Sequence, residues 1–177
     1  MRTRDWNKVL TGLLLVPIPF VARAEVYLTE TQAAAVLFPG IKLEPRWMDL
    51  SPDEIKRIQK TSRDRFLSPR MRVFWGPNKE AVIIDQVLGK HEFITYAVAI
   101  SGDGKVQGVE IMDYRETYGY QVREKVWREN FVGKGIQDPV KIDKDIPNIS
   151  GATLSSVHVT NGVYRILKTY ELLKSKA

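Results

Sequence analysis

The sequence predicts a single α+β domain, an antiparallel sheet with helices packed against it. Three observations carry this. Four segments between residues 71 and 114 are rich in Val, Ile, Phe and Tyr and are separated by turn signals. An apolar stripe of helical period closes the chain, with Val159, Val163, Ile166, Tyr170 and Leu173 recurring at intervals of 4, 3, 4 and 3. The 177 residues are 44% apolar and 27% charged, which fits one globular domain and excludes a disordered or collagen-like chain. A run of strands followed by a helix, without strict alternation, places the helices on an antiparallel sheet.

The elements follow in chain order. Residues 1–8 are polar and positive, Val9 to Ala22 is a largely apolar run of 14, and Ala22-Arg23-Ala24 presents small residues where a signal peptidase reads them. The run is short of the ~20 residues that a spanning helix needs. Residues 1–24 therefore read as a signal peptide, cleaved after Ala24 to leave a chain beginning at Glu25; an uncleaved membrane anchor is the alternative. Residues 25–70 read as an N-terminal helical segment and 71–177 as the core. Thr29 with Gln32 predicts a capping box before a short helix, Glu30 to Leu37, stopped by Pro39-Gly40. Ser51-Pro52-Asp53-Glu54 predicts a second helix running to about Ser62, with Ser as cap, Pro in the first turn and acids at the positive end. Around it lie Lys56, Arg57, Lys60, Arg63, Arg65, Arg70 and Arg72, either a solvated basic face or a dock for an acidic partner or membrane surface.

The predicted strands are Met71–Trp75, Ala81–Leu88, Phe93–Ser101 and Lys105–Tyr114. Ser101-Gly102-Asp103-Gly104 joins the last two as a tight hairpin. In the third strand the bulkier alternate set, Ile94, Tyr96, Val98 and Ile100, is the expected core face. Tyr120 to Phe131 reads as helical, with Val122, Val126 and Trp127 on one face. Gly133, Gly135 and Pro139 open a loop to Ile149. The final helix starts at or just after Ser150-Gly151-Ala152-Thr153, and Arg165, Lys168 and Lys174 are expected on faces away from the stripe.

Composition narrows the chemistry. No Cys is present, which excludes disulfides, thiolate metal sites, a cysteine nucleophile and cysteinyl cofactors. Only His91 and His158 are present, so a His-rich zinc site is not expected. His158 is expected as a partly exposed structural residue and His91 as a turn residue at the surface. The formal charge of +6 shrinks once residues 1–24 are set aside: the remainder has 23 basic and 20 acidic side chains, net +3. That balance does not point to nucleic acid. No GxGxxG dinucleotide fingerprint occurs.

The stretch leading into the last helix carries the chemistry. It reads Asp145-Ile-Pro-Asn-Ile-Ser150-Gly151-Ala152-Thr153-Leu154-Ser155. Small residues let a ligand approach the backbone. The first N–H groups of a helix lack internal partners and, with the helix dipole, favour a phosphate. Thr153 adds a hydroxyl that can be esterified. The same residues also suit an ordinary Ser-capped helix start.

With these residues the chain resembles the FMN-binding domain found in the C subunit of the sodium-pumping NADH:quinone reductase and the G subunit of the Rnf electron-transfer complex, most closely the small exported single-domain members. The family signature is an Asp, a short spacer, then Ser/Thr-Gly-Ala-Ser/Thr, matched here by Asp145 and Ser150-Gly151-Ala152-Thr153. The likeness extends over TYAVAISGDGKVQGVEIMDYRE, over Glu116-Thr117-Tyr118-Gly119 and over FVGK at Phe131 to Lys134. Larger members have a Glu-Thr-Pro-Gly-like turn bordering the flavin ring; this chain has Tyr118 in place of the Pro.

The resemblance implies an exported electron-transfer flavoprotein, with 71–177 as the FMN-binding core and FMN attached through a phosphoester to Thr153. It implies cofactor contacts from Ser150, Gly151, Ala152, Leu154 and Ser155, and from Glu116, Thr117 and Tyr118 at the ring. It further implies a separate flavin transferase that moves the FMN moiety from FAD to the hydroxyl with a divalent metal and releases AMP. Asp145 serves that transferase's recognition or shapes the loop. Tyr114, Tyr118, Tyr120 and Trp127 stack on or shield the ring, or in the case of Trp127 fill the core. An unidentified redox partner, with a membrane electron-transfer protein as the candidate, and a periplasmic or other extracytoplasmic location follow. A non-redox anion- or partner-binding module of the cell envelope is the alternative.

Overall fold

A computed structural model describes residues 27–62 and 65–177. The expected signal at 1–24, its cleavage site and Arg63 lie outside the described residues. The sheet has five antiparallel strands in sequence order: β1 (Glu44–Asp49), β2 (Arg70–Trp75), β3 (Ala81–Leu88), β4 (Phe93–Ile100) and β5 (Val106–Tyr114). The helices are α1 (Glu30–Leu37), α2 (Pro52–Gln59), the single turn α3 (Lys125–Arg128) and α4 (Thr153–Lys174).

The helix caps formed as their residues dictate. Thr29 and Gln32 make a reciprocal capping box on α1, and Ser51 and Glu54 make one on α2. α2 ends at Gln59, three residues before the expected Ser62, because Thr61 and Ser62 turn back onto the Ile58 carbonyl.

Both faces of the sheet are covered. One packs on α4, whose Val159, Val163, Ile166, Tyr170 and Leu173 are all fully buried against Ile94, Tyr96, Val98 and Ile100 of β4 and their neighbours. Each such side chain contributes about 1.5–3 kcal/mol by leaving water. The other face meets α1 through Ala33, Ala34, Phe74, Val82, Ala97 and Ala99. Ala97 and Ala99 are therefore as buried as the bulkier set; their small side chains let α1 lie close. The outer edge of β5 is also covered, because Tyr27 N–H donates to the Met112 carbonyl (2.9 Å) and the 133–134 backbone brackets Val106 (2.8 Å each).

Three expectations need correction. The segment 25–70, expected as helical, supplies the edge strand β1. Its sequence EPRWMD hides this, since an edge strand with Pro45 and alternating charges lacks the usual β signal. Residues 120–131 are not one helix but α3 between two short 3₁₀ turns, Tyr120–Arg123 and Glu129–Phe131. Val122, Trp127 and Phe131 are buried as a result, while Val126 is exposed. Arg165 does not face away from the core. It is fully buried, with its guanidinium donating to Asp85 of β3 at 2.6 and 3.0 Å and to the Gln86 and Arg65 carbonyls.

Candidate functional site

Three stretches of chain meet at one end of the sheet. The first is the entry to α4. Ala152 N–H donates to the Ile149 carbonyl (3.0 Å), closing a tight turn in which Gly151 takes φ +80°, a left-handed position that favours glycine. Ser156 Oγ donates to Asn148 Oδ1 (3.0 Å), tying the loop to the helix. Ala152 is the N-cap and no side chain caps the helix, so Ser150 is not a capping serine. Among the described residues the N–H groups of Thr153, Leu154 and Ser155 have no backbone acceptor. They face outward at the positive end of a 22-residue helix whose first turn holds no acid.

The second stretch is the loop leaving β5. Tyr114 Oη donates to the Tyr118 carbonyl (2.6 Å) and lies 3.2 Å from Ser155 Oγ, linking this loop to α4. Burial, more than any neighbour, raises the Tyr114 hydroxyl above its ordinary value, so it stays a donor. Gly119, at φ +88°, fits because a Cβ there would lie 2.7 Å from Tyr114 Oη and 2.9 Å from Ala152 Cβ.

The third stretch is the turn between β3 and β4, where Gly89 N–H donates to the Glu92 carbonyl (2.8 Å). The Glu116 carboxylate accepts from the backbone N–H groups of His91 (2.6 Å) and Glu92 (3.1 Å). Burial pushes this carboxyl up, but the backbone donors of His91, Glu92 and Lys90 together outweigh it and hold the group below its ordinary value.

These stretches enclose a cleft of about 520 Å³, within the ~300–1,000 Å³ typical of cofactor and ligand sites. Glu116, Thr117 and Tyr118 line it together with Gly151, Ala152, Thr153, Leu154 and Ser155. Thr153 is exposed at the mouth, with Tyr118 and Leu154 flanking it in solvent, while Ala152 and Ser155 are buried beneath. Of the nine residues expected at the cofactor, only Ser150 does not line the cleft. Glu116 reaches it, but with its carboxylate already engaged by the neighbouring turn.

Lys90 and His91 also line the cleft, and no sequence motif marks either as a site residue. A signal was available in the strand order. β4 begins where β5 ends, with Ile94 paired to Tyr114, so the turn before β4 must sit beside the loop after β5. Tyr120 is exposed and does not line the cleft. Trp127 fills the core: its Nε1–H donates to the Pro147 carbonyl (2.8 Å) and its ring meets Phe131 edge-on at 5.2 Å. His158 is partly exposed and bonds the Leu88 carbonyl through Nδ1. Asp145 does not line the cleft; it pairs with Lys134 Nζ at 3.0 Å, joining the 140s loop to the FVGK stretch.

Comparison with known proteins converges on this region. A family model described as an FMN-binding domain matches residues 89–168, a span that contains all three stretches. The G subunit of the Na(+)-translocating ferredoxin:NAD(+) oxidoreductase complex of Acetobacterium woodii is 31% identical over 206 aligned positions, covering 96% of this chain and 95% of that protein.

Proposed function

The chain belongs to the FMN-binding domain family, and from that premise we propose that it is an exported electron-transfer flavoprotein carrying FMN through a phosphoester on Thr153. One observation carries the reading. Thr153 is the first residue of α4 and stands exposed at the cleft mouth, beside three N–H groups without backbone acceptors. The donor set fits the group. The amides of Thr153, Leu154 and Ser155 suit a phosphate, the small Gly151 and Ala152 admit it, and Tyr118 and Leu154 offer apolar surface to a ring.

When bound, FMN supplies the one- or two-electron chemistry. The chain's residues hold and orient it. Tyr114 fixes the 115–119 loop against Ser155, which keeps the two walls at a set distance. A covalent link prevents loss of the cofactor outside the cytoplasm. The likeness to a component of a Na(+)-translocating ferredoxin:NAD(+) oxidoreductase complex supports a membrane redox partner. Maturation falls to a flavin transferase acting on the Thr153 hydroxyl. Asp145, held by Lys134, keeps the loop in the shape that enzyme meets.

The test is co-expression with a flavin transferase, followed by denaturation, visible spectroscopy and intact mass. The wild-type chain should keep its colour when unfolded and gain the mass of one FMN less one water. Thr153→Ala should be folded, should keep no colour once unfolded and should gain no mass. A bare Thr153 in protein taken from the native envelope with the modifying enzyme active overturns the reading.

A further inference from the structure

The cleft has a wall to which attachment at Thr153 gives no role. It is the turn at Gly89–Glu92, and Glu116 reaches across from the 115–119 loop to hold it by the amides of His91 and Glu92 at 2.6 and 3.1 Å. Gly89 makes room for this grip, since a Cβ there would come within 2.5 Å of Glu116 Oε1. Glu116 is thus engaged with backbone donors, while Lys90 lines the cleft with no ion pair among the described residues.

The cleft therefore has two separate positive features. Both the α4 N-terminus and Lys90 line it. One suffices for a phosphate. The second matters for a ligand whose charge changes. Oxidised isoalloxazine is neutral, and on taking two electrons and one proton it becomes an anion. A fixed cation lining the cleft stabilises that anion more than the neutral ring.

We propose that Lys90, presented by the Glu116-held turn, sets the redox balance of the flavin by favouring the reduced, anionic ring over the oxidised, neutral one, with Glu116 as the positioning residue. This rests on the flavin reading above. The probe is free FMN added to chain made without the transferase, so that attachment is not required. Dissociation constants are measured for oxidised FMN and, anaerobically, for FMN reduced by dithionite, which supplies the electrons while water supplies the proton.

The wild-type chain should bind the reduced form more tightly. Lys90→Gln should lower that preference about tenfold, equivalent to about 30 mV for a two-electron couple, and Lys90→Arg should retain it. Glu116→Gln should speed amide hydrogen exchange at His91 and Glu92 at least tenfold and lower the same preference with Lys90 still present. An unchanged preference in Lys90→Gln overturns the proposal, as does unchanged exchange in Glu116→Gln or a wild-type chain that binds neither form. Attachment is scored separately by intact mass on co-expressed protein. A bare Thr153 counts against the attachment, and an unchanged preference counts against Lys90.

Discussion

Thr153 depends on two glycines for its surroundings, and they constrain it differently. Gly151 and Gly119 both hold left-handed φ, near +80° and +88°, which costs any other L-residue about 1–2 kcal/mol. A methyl on Gly151 meets nothing within 4 Å, whereas one on Gly119 collides with Tyr114 Oη and Ala152. Gly119→Ala should therefore destabilise the chain more than Gly151→Ala in urea unfolding. It should also reduce flavin loading more, because it pushes apart the two walls that Tyr114 joins. Equal losses would mean that close approach at Gly119 is unimportant. Thr153→Ser, which keeps the hydroxyl, should still carry flavin after denaturation.

Among the elements, α4 is both the core's main helix and the cleft's wall, and one buried charge fixes its seat on the sheet. Arg165 meets Asp85 with nothing exposed on the arginine, and Tyr96 Oη donates to the same carboxylate at 3.2 Å. Arg165→Met alone leaves Asp85 buried without its cation and should cost about 3–5 kcal/mol by urea unfolding. Removing Asp85 as well should recover part of that loss. α2 is tied to the chain's end in another way. Lys176 foremost, with the Ser51 backbone, holds the Glu54 carboxyl down from 4.5 to about 2. A depressed carboxyl stabilises the folded chain above its ordinary value, and that contribution is lost as pH falls from 4.5 toward about 2. Lys176→Ala should flatten this limb of an acid-unfolding curve followed by circular dichroism.

What sequence could read at this scale depended on local signals. The boxes at Thr29 and Ser51 act within three residues, so they were legible. β1 was not, because pairing with β2 rather than its own residues makes it a strand. The burial of Arg165 was equally hidden, because its partner lies 80 residues away.

For the whole molecule, the motif around Thr153 and the loop at Glu116 were both legible, since each is a contiguous string. Their meeting with Lys90 and His91 was not, because it arises only from the order of β3, β4 and β5. The proposed cleavage after Ala24 would leave Tyr27 and its bond to Met112 intact. N-terminal sequencing of envelope protein should therefore begin at Glu25, and a retained Met1 would instead indicate an anchor. The cleft draws on residues near 90, near 116 and from 151 onward, so its last wall leaves the ribosome with the final helix. A complete cleft forms only once α4 has been made and has packed on the sheet. On the proposed attachment at Thr153, loading would then follow folding, and a loaded chain would report that the cleft had already assembled.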